Sequence, residues 1–458
     1  MAVDVPATAP HRSAALVSIG DELALGQTLD TNTQWLSDRL FALGVRTVEH
    51  VTVEDNVARI ESVLARVASE VDLVLVTGGL GPTLDDVTRE ALAAAVGDAL
   101  VEDAAALDAV RAWFAGRGTD MPPANAVQAM RPQSAVCLAN PNGTAPGLSL
   151  RDLARACDVI CLPGPPREMG PMFDAEVVPR LRRSENRAFG ARALLCFGLG
   201  ESVVAQRLGE LMDRSRENDG LPVVGTTASR MVVSVRMRHT DATSEAVDAA
   251  LNALEADVRE RLTPAIFDRR DFTAGDAPDI TNALPAHVLA SLRDRGERVV
   301  VVESCTGGLL GELLTSVPGS SDAFAGGWLT YTNEAKAGLV GVDPSLIEAH
   351  GAVSAQVALD MARGGLFRAG FLGGAHHALA ITGVAGPGGG TDTKPVGTVW
   401  IARASASGGN VNAEARPFRF RGGRAAVREW SARSALGMLR LHLAGESMSL
   451  LGEAPDAL

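Results

Sequence analysis

Short apolar runs alternate with stretches of helical spacing through the first hundred residues. Residues 14–19 (AALVSI) and 72–76 (DLVLV) are apolar without a polar alternation, which predicts strands buried on both faces. Residues 45–53 alternate apolar and polar, the signature of a half-covered strand. Between the runs, apolar residues 35, 36, 40 and 43 recur at helical spacing after Thr31-Asn32-Thr33, and helices are predicted near 56–69 and 87–96. Strands alternating with helices imply a parallel sheet covered on both sides, with ligands at the carboxyl ends of its strands. The third run enters Thr77-Gly78-Gly79-Leu80-Gly81-Pro82-Thr83 at that end.

From about residue 183 the pattern changes. A strand at 193–197, a helix from the Gly198 turn to about 208, alternating segments at 223–224 and 231–237, and a helix near 243–260 form a small α+β segment. Its His239 reads as a surface residue. Residues 269–279 mix charge with Gly, Ala and Pro and read as a linker. Beyond it come a helix (280–295), buried strands at 300–302 and 378–381, strands near 396–402 and 413–420, and a helix to about 443. The chain is thus expected to be α/β throughout: a tail (1–12), a three-layer α/β domain (13–182), the small α+β domain (183–268), the linker, a second α/β domain (280–445) and a tail (446–458).

Composition narrows the function classes. A net charge of −13, with no dense Lys/Arg run, argues against nucleic-acid binding. Five cysteines without CxxC spacing suit reduced thiols in a cytoplasm and give no metal site. No apolar stretch reaches the roughly 18 residues of a membrane span, and the first dozen residues lack the order of a signal peptide. Parallel-sheet enzymes often self-associate, so a homodimer is expected.

Two places carry chemistry. In the first, the glycine loop offers backbone donors to a phosphate, and Asp85 and Asp86 follow it directly. Either aspartate alone reads as a helix N-cap; both beside such a loop read as a seat for a hydrated Mg²⁺ bridging phosphate oxygens. In the second, the 300–302 strand delivers Ser304 onto a Thr306-Gly307-Gly308 turn that opens a helix. Converging N–H groups there make a natural seat for a carboxylate or phosphate. Pro318-Gly319-Ser320-Ser321 follows, then a Gly326-Gly327 pair read as a sharp return, then Tyr331, the only tyrosine, and Lys336. Serine needs a base, and a desolvated lysine or tyrosine can serve. Both serines have glycine neighbours, and which of them lies against Lys336 stays open.

ESCTGG, PGSS, TYTNEAK, HGAVS (350–354) and ITGVAGPGGGTDTKPVGTVW (381–400), in that order, resemble the nicotinamide-nucleotide amidohydrolase domain of the competence/damage-inducible CinA family. GDELALGQTLDTN, TGGLGPTLDDVTREAL, residues 142–147 and residues 162–169 resemble the family's N-terminal domain, akin to MoaB/Mog-like molybdopterin-binding domains; the α+β segment resembles its connecting domain. The resemblance implies that the C-terminal domain hydrolyses nicotinamide mononucleotide to the acid and ammonia in pyridine-nucleotide salvage, without a cofactor. Ser321 is then the expected nucleophile, with Tyr331 and Lys336 as its base system. Ser304, Thr306, Gly307, Gly308, Thr382, Gly383, Gly386 and Arg424 are expected to bind substrate, Arg421 and Arg428 being alternatives to Arg424; amides near 304–308 or 319–321 would hold the oxyanion. For the N-terminal domain the resemblance implies a divalent-dependent ADP-ribose pyrophosphatase, with Asn32, Gly78, Gly79, Gly81 and Thr83 at the nucleotide and Asp85 and Asp86 at the metal. The rival reading is a non-catalytic, nucleotide-binding regulator of competence or DNA-damage responses.

Overall fold

The computed structural model describes residues 10–152, 154–182, 188–217, 220–271, 280 and 282–451. The chain separates into two compact units. The first extends to Gly190, and the second groups Ala191–His239 and Ala249–Asp271 with Pro278–Leu458.

The first unit is built on a six-stranded sheet in the order Arg46–Val53, Ser13–Ile19, Leu73–Thr77, Cys157–Leu162, Gly147–Asp152, Val136–Leu138. The first four strands are parallel, and the last two add antiparallel at one edge. Unbroken apolar sequence in the central strands is explained by the two cores they separate. Ala15, Val17, Val74 and Val76 face one; Ala14, Leu16, Leu73 and Leu75 face the other. The edge strand Arg46–Val53 alternates exposed and half-buried positions, as an uncovered edge allows. The expected N-terminal tail is shorter than its sequence suggests. His11 is buried and its Nε2 lies 2.9 Å from Asp158, while the Arg12 and Ser13 amides donate to Asp72.

In the second unit, Val223–Ser229, Val232–Asp241, Ala188–Phe197 and Ile266–Asp271 form a four-stranded sheet in that order, with helices Glu201–Glu217 and Ser244–Leu262. A five-stranded sheet follows, ordered Phe324–Leu329, Val299–Glu303, His377–Gly383, Thr398–Ser407, Asn410–Arg419. Its first three strands are parallel, so the carboxyl ends of Phe324–Leu329 and His377–Gly383, with the loops that follow them, flank that of Val299–Glu303. Gly326 and Gly327 lie inside a strand rather than at a return. A Cβ on Gly327 would come 2.5 Å from Val301, so glycine is what lets the two strands pair.

The long helix Arg424–Ala444 joins both sheets of this unit. Near its end, Gly437 lies against the Phe197 ring, and the buried Arg440 guanidinium donates to the Pro264 and Ala265 carbonyls. Two boundaries read from sequence change accordingly. Residues 269–271 of the expected linker belong to the strand Ile266–Asp271, and 272–279 lie outside the described residues. The expected C-terminal tail begins with a short turn, Met448–Leu450, that packs on Gly198 and buries Leu451; residues 452–458 lie outside the described residues. His239 is buried rather than at the surface.

The Gly437 contact is testable. A Cβ there would stand 2.2 Å from Phe197 Cε1, a ring itself only 1% exposed. Gly437→Ala is expected to destabilise the chain by about 1–3 kcal/mol in urea unfolding despite alanine's better helix propensity. Phe197→Leu in the same chain should recover part of that loss.

Candidate functional site

The strand Val299–Glu303 is wholly buried and ends in a turn, Ser304 to Gly308, before helix Leu309–Thr315. Gly307 and Gly308 take positive φ (61° and 96°), which a side chain would disfavour. Helix Asn333–Val340 starts at Thr332, whose side chain accepts the Ala335 amide and so fixes where the next turn presents Lys336. The result is a close pair. Lys336 Nζ donates to Ser304 Oγ at 3.1 Å and to the Thr330 carbonyl at 2.9 Å, and Lys336 and Ser304 are 2% and 7% exposed. Burial lowers the Lys336 pKa, with Cys305 and Glu334 opposing it in part. The amine is thereby poised to exist as a free base nearer neutrality.

This geometry separates Ser321 from the lysine expected to serve it. Ser321 sits exposed in the short turn Ser320–Asp322, and the lysine reaches Ser304 instead. Tyr331 is likewise not joined to the lysine. It is 60% exposed, and its hydroxyl accepts from Arg424 at 3.0 Å. Arg424 also donates to the Gly386 carbonyl at 2.8 Å, linking the start of the last helix to the glycine-rich loop. Arg428, one turn on, donates twice to the Thr306 carbonyl, at 2.7 and 3.1 Å, and holds the serine's own turn. Thr382 donates to the Ala352 carbonyl at 2.8 Å, and Lys394 to the His350 carbonyl at 2.7 Å, so the loop is tied across the HGAVS segment. At Gly383 a Cβ would meet Val399 at 2.7 Å, so glycine there serves strand pairing.

The seat for an anion expected at the serine turn exists, but the chain fills it. The amides of Gly308, Leu310 and Gly311 donate to the Glu303 carboxylate at 2.8–3.0 Å. Gly307 N donates to Ser304 O and Leu309 N to Thr306 O. Among the described residues, the Cys305 and Thr306 amides of this turn have no protein acceptor. Sequence reasoning missed Glu303; its signal was a carboxylate closing an otherwise apolar strand just before a Gly-Gly turn.

In the first unit, the glycine loop lines a cavity of about 600 Å³ at the carboxyl ends of the parallel strands, with Asn32, Thr144 and the 163–166 segment around it. Asn32 donates to the Gly164 carbonyl at 2.7 Å. Gly78 and Gly79 are required as glycines. Both have positive φ, and a Cβ would come 2.2 Å from Ile19 O or Thr88 Oγ1. Arg89, 1% exposed, donates to the Leu80 and Gly81 carbonyls from beneath the loop, a brace the sequence did not reveal.

Of the aspartate pair expected at a metal, Asp86 is engaged by the loop itself. Asp86 turns both oxygens onto the loop, accepting from Gly81 N at 2.7 Å, from Thr83 N at 2.8 Å and from the Thr83 hydroxyl. Asp85 is exposed, and among the described residues no group of three His, Cys, Asp or Glu is arranged to hold a metal. The amides of Gly79 and Leu80 keep no protein acceptor and remain open to a ligand.

Asp86 is therefore a structural brace with a measurable role. Asp86→Asn replaces one acceptor oxygen by an NH₂ facing N–H groups, and should cost about 1–3 kcal/mol of unfolding free energy. Asp85→Asn, exposed, should stay within about 0.5 kcal/mol of the parent.

Comparison with known proteins agrees with this architecture. Residues 281–443 match the family described as "CinA C-terminal domain", 15–183 that described as "Probable molybdopterin binding domain", and 191–267 the "Damage-inducible protein CinA KH domain". A CinA-like protein of Geobacter metallireducens is 42% identical over 431 residues, covering 94% of this chain and 98% of its own. Another, from Geobacter sulfurreducens, is 41% identical with the same coverage. The crystal structure of competence/damage inducible protein CihA from Agrobacterium tumefaciens, 40% identical, covers 36% of this chain and 97% of its own with a TM-score of 0.33. With relatives this similar along nearly the whole length of both chains, the protein belongs to the CinA family of competence/damage-inducible proteins.

Proposed function

We propose that the C-terminal part of this chain is an amidohydrolase that converts nicotinamide mononucleotide to nicotinic acid mononucleotide and ammonia, with Ser304 as nucleophile and Lys336 as base. The observation that carries this is the 3.1 Å contact between the buried Lys336 amine and Ser304 Oγ. The neutral amine takes the serine proton as Oγ attacks the carboxamide carbon. The oxyanion that develops faces the open Cys305 and Thr306 amides, each donor worth roughly 10²–10³ in rate by analogy with other oxyanion holes. Lys336 then returns its proton to the departing nitrogen, and ammonia leaves. Water, deprotonated by the same amine, hydrolyses the acyl-serine and restores the serine. The phosphate falls to Arg424, beside Tyr331 and the Gly386 loop, because Glu303 already fills the helix start.

Ammonia release from nicotinamide mononucleotide tests this. Ser304→Ala and Lys336→Met should each lower kcat by about 10³-fold or more, and the double variant should be scarcely worse, since the two act as a unit. Ser321→Ala should keep near-parent turnover. Active Ser304→Ala with inactive Ser321→Ala would exchange the serines, and no ammonia from the parent would favour the regulator reading. Because the unprotonated amine is the base, kcat should rise with pH through the Lys336 pKa and level off below the ordinary lysine value of 10.5.

For the N-terminal cavity, the open Gly79 and Leu80 amides support a nucleotide diphosphate such as ADP-ribose. The carboxylates lining the cavity would repel a bare diphosphate, which is a physical ground for a divalent cation accompanying it. Cleavage of ADP-ribose with and without chelator tests that second activity.

A further inference from the structure

Glu303 is 1% exposed, and a carboxylate at that depth persists only if its lone pairs are satisfied. Oε2 accepts from Gly308 N and Leu310 N, both at 3.0 Å, and Oε1 from Gly311 N at 2.8 Å. All three bonds point toward the carboxyl group, which acts here only as an acceptor. The backbone from Glu303 to Gly308, closed by the first of these bonds, makes a small ring with Ser304 inside it.

The main chain of the same residue works on the other partner. The Glu303 carbonyl accepts from Thr330 N at 2.7 Å and from Thr330 Oγ1 at 3.3 Å. The Thr330 carbonyl in turn accepts from Lys336 Nζ. One residue therefore touches the serine's turn through its side chain and the lysine's second acceptor through its backbone.

We infer that Glu303 is a positioning residue, an internal acceptor whose contacts with the first turn of helix Leu309–Thr315 hold Ser304 Oγ on Lys336 and keep substrate phosphate out of that turn. The role rests on the Ser304–Lys336 assignment proposed above. It predicts that charge alone is not enough and that geometry is what the carboxylate supplies.

The test uses the full-length chain and two readouts. One is kcat and KM on nicotinamide mononucleotide; the other is the rate at which a fluorophosphonate, a probe of activated serines, labels Ser304. Glu303→Gln places an NH₂ against amide donors, and Glu303→Ala empties the position. Both should lower kcat and labelling by about 10²-fold, the scale of a 1 Å misplacement, while KM changes less than about threefold. Formate should restore part of both rates to Glu303→Ala and none to Glu303→Gln, whose side chain still fills the space. Glu303→Asp, which keeps the charge but draws the carboxylate back by one methylene, should fold and label at an intermediate rate. It decides the matter if the other two variants do not fold. Parent-like kcat and labelling in Glu303→Asp and Glu303→Ala, or losses in kcat and labelling that formate leaves unmoved while unfolding remains parent-like, would overturn the inference. If the parent releases no ammonia yet its labelling depends on Glu303 and responds to formate, the substrate is wrong and the positioning role stands.

Discussion

Burying the amine of Lys336 is the constraint on which the C-terminal site depends. An ammonium loses most of its hydration there, and the loss favours the neutral form that can accept a proton. Such an amine is useful only if its few polar contacts are the intended ones. The Thr332 cap fixes the helix that carries it, the Thr330 carbonyl takes one of its hydrogens, and Ser304 Oγ meets it on the open side. Strand pairing sets the rest. Glu303 lies between Leu329 and Ile381 in register, so the residues just beyond each strand end converge on one spot.

Both units solve a similar problem in a similar way. A glycine turn at the end of a parallel strand leaves more amides than any ligand will use. In each case an acidic side chain of the chain itself takes the surplus: Asp86 at the first loop, Glu303 at the second. The amides left open, Gly79 and Leu80 in one and Cys305 and Thr306 in the other, are then few and directed. An acidic residue beside a glycine loop can serve the loop itself. Here it acts as a brace that selects which donors face outward.

The fold was largely legible because its central strands are buried on both faces, and a run such as Leu73–Val76 cannot be hidden any other way. The two antiparallel strands that finish the first sheet were not legible. Val136–Leu138 is three residues long and leaves no period to read. Composition misjudged residues 269–271, because charged side chains on an edge strand look like linker. At the site, Ser304, Lys336 and Arg424 carry chemistry that is visible in the sequence, and the structure brings the first two into contact. The choice between Ser304 and Ser321 depends on where a helix starting four residues past a strand aims one side chain, which no local pattern encodes. Arg428 and Arg89 act through backbone carbonyls, Arg428 on one distant in sequence, and no side-chain pattern announced either contact.

Cys305, the residue after the serine, has a practical consequence. Its thiol is buried and pushed up to about 12, chiefly by loss of solvent, so it remains protonated beside the Ser304 hydroxyl. Thiolate, not thiol, is what alkylating agents and oxidants attack. If Ser304 is the nucleophile proposed above, the site should tolerate iodoacetamide and peroxide while yielding to reagents that seek an alkoxide, such as boronates. A covalent inhibitor for this chain is best built around an electrophile for oxygen, and a cysteine-directed warhead would find a neighbour that does not react.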